Sequence, residues 1–357
     1  MDLVLRYGFY IVVLILLAIP LGAYMGKVMN GERVFLSKIC GPCENLIYKI
    51  MRVKKDEDMT WKKYLASVLI FSLIGFLVLF LLQIFQFYLP GNPEKIPNMS
   101  WHLSFNTAVS FVTNTNWQAY SGEYQLSYLS QALGLATQNF VSAATGIAVL
   151  FALIRAFVRV KEKGLGSFWV DLTRIVLYIL LPLNLVISLA LVSQGVVQNI
   201  TPAEAVQLLE PIAIDADGEI IEGAVIDTKK GTVTLDGQPV QDAQIVTDQF
   251  VPMGPAASQI AIKQSGTNGG GYNGVNSAHP LENPTWFSNL VEMISLLLIP
   301  AALCFTFGRN IKDKRQGRAI FSAMLIMLII ALSIVAVNEQ AGTPQLANGG
   351  SVLMDNI

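Results

Sequence analysis

Residues 101–117 read WHLSFNTAVSFVTNTNW, and they decide the fold. The first twelve are apolar enough to enter a bilayer, yet at about 1.5 Å per residue they reach only about 18 Å, well short of a hydrocarbon layer roughly 30 Å thick. A helix that enters and cannot cross must turn back or lie at the interface. Ser100 offers an N-cap, and beyond Val112 the chain runs into Thr113-Asn114-Thr115-Asn116-Trp117, which is polar and has no regular period. Irregular backbone at membrane depth is tolerated only inside protein or beside water. Span, short helix, polar loop, span is therefore the expected order, the plan of a pore unit.

The surrounding chain agrees. Of its 357 residues 53% are hydrophobic and 14% charged, against roughly 45–50% and 25% in an average soluble domain, which excludes an ordinary soluble protein. Apolar runs long enough to span lie at 3–28, 64–88, 132–158, 168–192, 286–307 and 319–337. The first is expected to be a retained span rather than a cleaved leader. With 24 basic and 25 acidic residues the chain lacks the basic excess of a nucleic-acid binder. Most of the lysines and arginines sit between the first two spans, after the third and after the fifth, so the positive-inside rule makes those connections cytoplasmic and both termini external. The connection 194–282 is acidic. Within it, residues 214–249 alternate apolar with polar and carry the turn pairs Asp217-Gly218 and Asp236-Gly237, which predicts a small β-rich outer insert. The fold class is an all-α polytopic membrane protein with that one addition.

The pore-unit plan returns after the fourth span. Gly254-Pro255 places proline at the favoured first helical position, residues 256–264 form a second short helix with Lys263 its one charge, and Gly266-Thr267-Asn268-Gly269-Gly270-Gly271 follows. Both units share the order helix, Thr-Asn, loop, as an internal duplication does. Glycines and small polar residues let successive carbonyls turn inward and replace a hydration shell, as in potassium filters. A helix C-terminus aimed at the loop adds about half a negative charge. Neither loop carries a formal charge, which suits a monovalent cation better than a divalent one. A pair of hairpins capping spans is the plainer reading, and it accounts for one such loop more readily than for two in matched context.

Other motifs lead nowhere. Residues 269–274 (GGGYNG) fit a dinucleotide fingerprint but follow no strand. Cys40-Gly41-Pro42-Cys43 has redox spacing without a βαβ setting, and residues 26–63 contain no His and no third Cys to complete a zinc site, so a turn in a loop is expected there. Cys304 reads as a small core residue; His102 and His279 lie on different outer segments and form no dyad. The chain has no P-loop and no aspartyl-phosphate motif, so the energy for transport is expected to come from elsewhere.

The blocks 106–122 (NTAVSFVTNTNWQAYSG), 138–157 (QNFVSAATGIAVLFALIRAF), 252–271 (PMGPAASQIAIKQSGTNGGG), 276–284 (NSAHPLENP) and 315–318 (RQGR) resemble the KdpA family, the potassium-binding, channel-like subunits of bacterial potassium-transporting P-type ATPases. The resemblance covers nearly the whole chain. It implies span–pore helix–span repeats of the potassium transporter superfamily: an extra N-terminal helix at 1–30, a basic cytoplasmic segment at 31–63, repeat one at 64–158 with its filter at 113–117, and repeat two at 168–308 with an outer insert at 195–252 and a filter at 267–271. A basic loop at 309–318, the first helix of a third repeat at 319–338 and an outer tail at 339–357 complete it. Family members run about half as long again and carry four filter loops, so the chain is expected to be a truncated or partial form.

The resemblance further implies K+ as the transported ion. Thr113, Asn114, Thr115, Asn116, Thr267, Asn268, Gly269, Gly270 and Gly271 would form filter segments, Gln118 would stand at the mouth, and Asp313, Arg315 and Arg318 would lie on the path toward the pump. Implied partners are a P-type ATPase catalytic subunit (KdpB-like), a single-span accessory subunit (KdpC-like), a small regulatory membrane peptide and the lipid of a bacterial inner membrane, with no nucleic acid. A stand-alone uptake channel gated by a cytoplasmic ring is the alternative of the same class. A thiol oxidoreductase using Cys40 and Cys43, or a scaffold without flux, would be alternatives from other classes.

Overall fold

Backbone in lipid has no water to bond, so long apolar runs close their own hydrogen bonds as helices. The computed structural model describes residues 2–159 and 164–342; Lys161, Lys163 and the tail beyond 342 lie outside the described residues. Six helices are long and apolar enough to cross a membrane: Leu5–Met29, Trp61–Ile84, Ser130–Val158, Phe168–Ser193, Trp286–Asn310 and Lys314–Ala341. The second stops four residues before the apolar run does, because the Gln86 side chain donates to the carbonyls of Pro97 (2.7 Å) and Gln125 (2.8 Å) and accepts from Ser127 N–H. The sixth begins earlier than its apolar run, since Asp313 caps it by accepting from Arg315 N–H at 2.9 Å. Thr285 opens the fifth through a reciprocal capping box with Ser288.

Small residues set the helix crossings. A Cβ on Gly22 would stand 2.5 Å from the Ala302 carbonyl oxygen, and one on Gly317 would stand 2.6 Å from that of Cys304. The first and fifth spans therefore touch backbone to backbone, reinforced by Thr306 Oγ1 donating to Gly22 O at 2.8 Å, and the sixth lies against the fifth in the same way. The third and fourth spans are joined by Arg155, whose guanidinium forks onto both carboxylate oxygens of Asp171 (2.6 and 2.7 Å). Each of these two spans holds a π-helical stretch, Ser130–Ala136 and Ile175–Leu180, and each stretch offers one polar side chain, Gln131 or Tyr178, to a neighbouring segment.

The outer insert is a ribbon of β1 (Glu204–Ile214) antiparallel to β5 (Gln244–Val251), with a register shift between Gln207 and Ile212, plus a three-stranded sheet of β2 (Val225–Asp227), β3 (Thr232–Leu235) and β4 (Gln238–Pro239). Asp236 and Gly237 both have positive φ and make the tight turn between β3 and β4. The ribbon starts ten residues before the alternating pattern, because β1 takes its register from β5 rather than from its own sequence.

Two local expectations are corrected. Pro255 is the N-cap, with φ −82° and ψ 52°, and the helix starts at Ala256. Cys40 and Cys43 lie in no turn but within a helix, Ser37–Met51, that tolerates Pro42. What holds this helix is tertiary. Glu44 accepts from Tyr178 Oη (2.6 Å), Tyr48 Oη (2.9 Å) and Arg174 Nε (3.1 Å).

Burial pushes the Glu44 carboxyl up, but the hydrogen bonds from Tyr178, Tyr48 and Arg174 and the Arg174 charge outweigh it and hold it below the usual carboxylate range. A depressed folded-state value means that this stabilisation is present above the unfolded value of about 4.3 and is lost as pH falls through the lower, folded one. Acidification below the ordinary carboxylate range is expected to release the helix. Oxidative footprinting of Tyr48 across an acid series checks this, and protection that persists to the acid limit would contradict it.

Candidate ion-pathway site

The first short helix is Trp101–Val112, capped by Ser100 Oγ accepting from Leu103 N–H. It ends in a Schellman closure: Asn114, at φ 62°, donates its N–H to Phe111 O, and Thr115 N–H reaches Ser110 O at 2.9 Å. The second short helix, Ala256–Ser265, ends identically: Thr267, at φ 54°, donates to Gln264 O, and Asn268 N–H reaches Lys263 O at 3.2 Å. The two units therefore correspond with Asn114 on Thr267 and Thr115 on Asn268. The Thr-Asn pair common to both sequences is out of step by one residue, because backbone closure, not side-chain identity, fixes the equivalence. Left-handed backbone is costly for a β-branched residue. Thr267 is held there by its own closure and by Oγ1 donating to Gly266 O at 2.7 Å, local strain of the kind that collects at functional sites.

Beyond the closures the loops meet at corresponding positions. Asn116 Nδ2 donates to Gly269 O (3.4 Å), and Gln118 pairs with Gly271 twice, Nε2 to the carbonyl (3.0 Å) and Oε1 from the N–H (2.7 Å). Asn268 Nδ2 donates to Asn114 Oδ1. A Cβ built on Gly270 would lie 3.6 Å from that of Asn116. Thr113 and Thr115 stay exposed, their hydroxyls 2.9 Å apart. Of the ten predicted loop residues, Asn114, Asn116, Gln118, Asn268, Gly269, Gly270 and Gly271 meet across the two loops, whereas Thr113, Thr115 and Thr267 bond within their own unit. Asp313, Arg315 and Arg318 do not join them: Asp313 is the cap of the sixth span, and both arginines are exposed at the other end of the fifth span.

Several supports were not singled out from sequence. Asn139 and Ser142, three apart on one face of the third span, sit behind both loops. Asn139 Oδ1 accepts from Asn116 Nδ2 and its carbonyl from Asn268 Nδ2, while Ser142 Oγ donates to Asn114 Oδ1 at 2.8 Å. The signal was there, the polar cluster Thr137, Gln138, Asn139 and Ser142 in a mostly apolar run. Gln131 donates to Tyr272 O (3.2 Å) and accepts from Gln259 (2.9 Å). Lys263, fully buried, pairs with Glu282, whose carboxylate also accepts from the N–H groups of Asn273 (2.6 Å) and Ser277 (3.0 Å). This carboxylate straps the chain after the second loop to the helix before it. Burial pushes the Tyr272 phenol well above its usual range, so it remains a neutral donor to Met253 O at 2.6 Å.

Asn139→Ala is expected to cost about 1–3 kcal/mol, the penalty for buried polar groups left unpaired. Thermal melts of the variant check this, and a melt that matches the unsubstituted protein would contradict it.

Two short helix–loop units set side by side among six helices long and apolar enough to cross a membrane define the class: a multi-pass membrane protein with two paired loops. The chain belongs to the KdpA family, described as the potassium-transporting ATPase A subunit, whose model matches residues 8–356. It is 64% identical over 357 residues to the potassium-transporting ATPase potassium-binding subunit of Clostridium botulinum strain Eklund 17B, covering 100% of this chain and 57% of the relative. The subunit of that name from Clostridium perfringens is 63% identical over 98% of this chain and 56% of its own length. One from Listeria monocytogenes serotype 4b is 49% identical over 98% and 57%. The chain spans a little over half the length of the curated relatives it matches.

Proposed function

We propose that this chain carries the outer ion-selective part of an ATP-driven potassium uptake complex, taking K+ from water onto backbone and amide oxygens and passing it inward. The observation that carries the reading is a pair of orphans. Asn116 Oδ1 and Asn268 Oδ1 are buried and accept no hydrogen bond among the described residues, while the nitrogens of both amides are committed to acceptors. Buried oxygens without donors are costly in a resting fold and suit a cation ligand.

The backbone supports the same chemistry. In a strand successive groups point to opposite faces. Left-handed residues at Asn114, Asn116, Thr267, Gly269 and Gly270 break that alternation, as a row of inward carbonyls requires. Carbonyl dipoles in place of a hydration shell favour K+ without carboxylates; Glu282 is taken by Lys263 and backbone N–H groups and Glu123 by Gly274 N–H, while buried Glu292 accepts from Gln264 on one oxygen and leaves the other without a partner among the described residues. Both short helices aim their C-terminal ends at the loops, adding partial negative charge. In this reading the basic connections face the cytoplasm of a bacterial inner membrane, with both termini outside. Asp313, Arg315 and Arg318 then face the pump side, and the partners are a P-type catalytic subunit, a single-span accessory subunit and a small regulatory membrane peptide.

The test is rubidium uptake by potassium-starved cells dependent on this chain in its native complex. Uptake is expected to stop when ATP is depleted while the membrane potential is clamped. Uptake that follows the potential alone would instead identify a gated channel, and the absence of any K+-competed uptake would sink the reading.

A further inference from the structure

The helix Ser37–Met51 is amphipathic the wrong way round for water. Its polar residues Glu44 and Tyr48 are buried against the fourth span, whereas Ile39 (72% exposed), Leu46 (57%) and Ile50 (71%) are bare. Cys43 is exposed between them. At 100° per residue these four share one stripe opposite Glu44 and Tyr48. Lys38 and Lys49, both exposed, stand along one flank of that stripe.

Depth decides what the stripe meets. Glu44 is bonded to Arg174 and Tyr178, and Cys40 Sγ reaches Leu177 O at 3.5 Å. The fourth span begins at Phe168, so at about 1.5 Å per residue these anchors lie about 9–15 Å along it from its end. The first span agrees: Tyr24, five residues before its last residue Met29, donates to Tyr178 O at 2.8 Å. The helix is therefore docked against the end of the fourth span that carries Asp171 and Arg174, at the edge of its apolar stretch and not beyond it.

We propose that Ser37–Met51 is an interfacial helix whose stripe of Ile39, Cys43, Leu46 and Ile50 lies among the acyl chains of the adjoining leaflet. Lys38 and Lys49 extend their stems over this apolar surface and place their ammonium groups at the phospholipid phosphates. The seat of the helix against the end of a membrane-crossing helix and the one-sided lysine pair favour phospholipid over a protein partner. The inference is independent of what the filter loops select.

Cys43 is its natural reporter. With Cys40→Ser and Cys304→Ser in the intact chain, an environment-sensitive fluorophore on Cys43 in phosphatidylglycerol-containing vesicles should lose at least about half its emission to acyl-brominated phospholipid, and little to aqueous iodide. Quenching by iodide alone would put the stripe in water; quenching by neither would put it under protein. Either result overturns the proposal. If that double variant does not assemble, the unsubstituted chain decides: in vesicles with this side outward, a charged maleimide should leave Cys43 unmodified until detergent is added, and modification without detergent would refute it.

Discussion

Gly271→Ala is expected to reduce K+-competed rubidium uptake about a hundredfold or more, the scale of loss that a displacement of about 1 Å imposes on a positioned site. A Cβ on Gly271 would stand 2.2 Å from Asn273 O, 2.9 Å from Asn276 N and 3.0 Å from its Cα. All three are backbone atoms, which cannot swing aside as a long side chain can. Relief requires moving the loop, and the loop is where Gly271 holds both ends of the Gln118 amide. Gly269→Ala is the control: its Cβ would meet nothing within 4 Å, although φ is +84°, so it carries backbone strain of order 1–3 kcal/mol without a collision. Uptake should fall less in Gly269→Ala than in Gly271→Ala with the complex still assembled. Equal effects would mean that close packing at 271 is irrelevant to the pathway.

The second large effect is expected at Glu282→Gln. Removing one partner of a buried ion pair costs about 3–5 kcal/mol because the other charge is stranded; Lys263 donates no other hydrogen bond among the described residues, and the nearby Glu292 carboxylate is left to offset part of its charge. Glutamine also presents an NH2 group where Ser277 N–H needs an acceptor. Lys263→Met should be milder, since Glu282 keeps its two backbone donors, and adding it to Glu282→Gln should restore part of the loss by removing the stranded ammonium. Melting of the detergent-solubilised complex gives the ordering. A Glu282→Gln protein that melts with the unsubstituted one would show that the strap contributes nothing.

The features legible from sequence are those written in local chemistry. Residues 101–112 declare a helix too short to span, Ser100 declares its start, and the long apolar runs declare the spans, because lipid leaves such runs one solution. Features decided by distant partners were not legible. Gly41-Pro42 looks like a turn, and proline does remove one helical hydrogen bond, yet Glu44 meeting Arg174 and Tyr178 keeps the helix intact around it. Lys263 and Glu282 are separated by the whole second loop, so no spacing rule links them. The one-residue offset between the loops was hidden by a repeated Thr-Asn, which draws the eye to side chains where the hydrogen-bond closure alone sets the correspondence.

Anomalous diffraction from rubidium-soaked crystals of the chain in its native complex tests the central claim most directly. The account predicts a peak within coordination distance of backbone oxygens from both loops, beside Asn116 and Gly270. Rubidium bound only at carboxylates elsewhere, with that position empty, would contradict it.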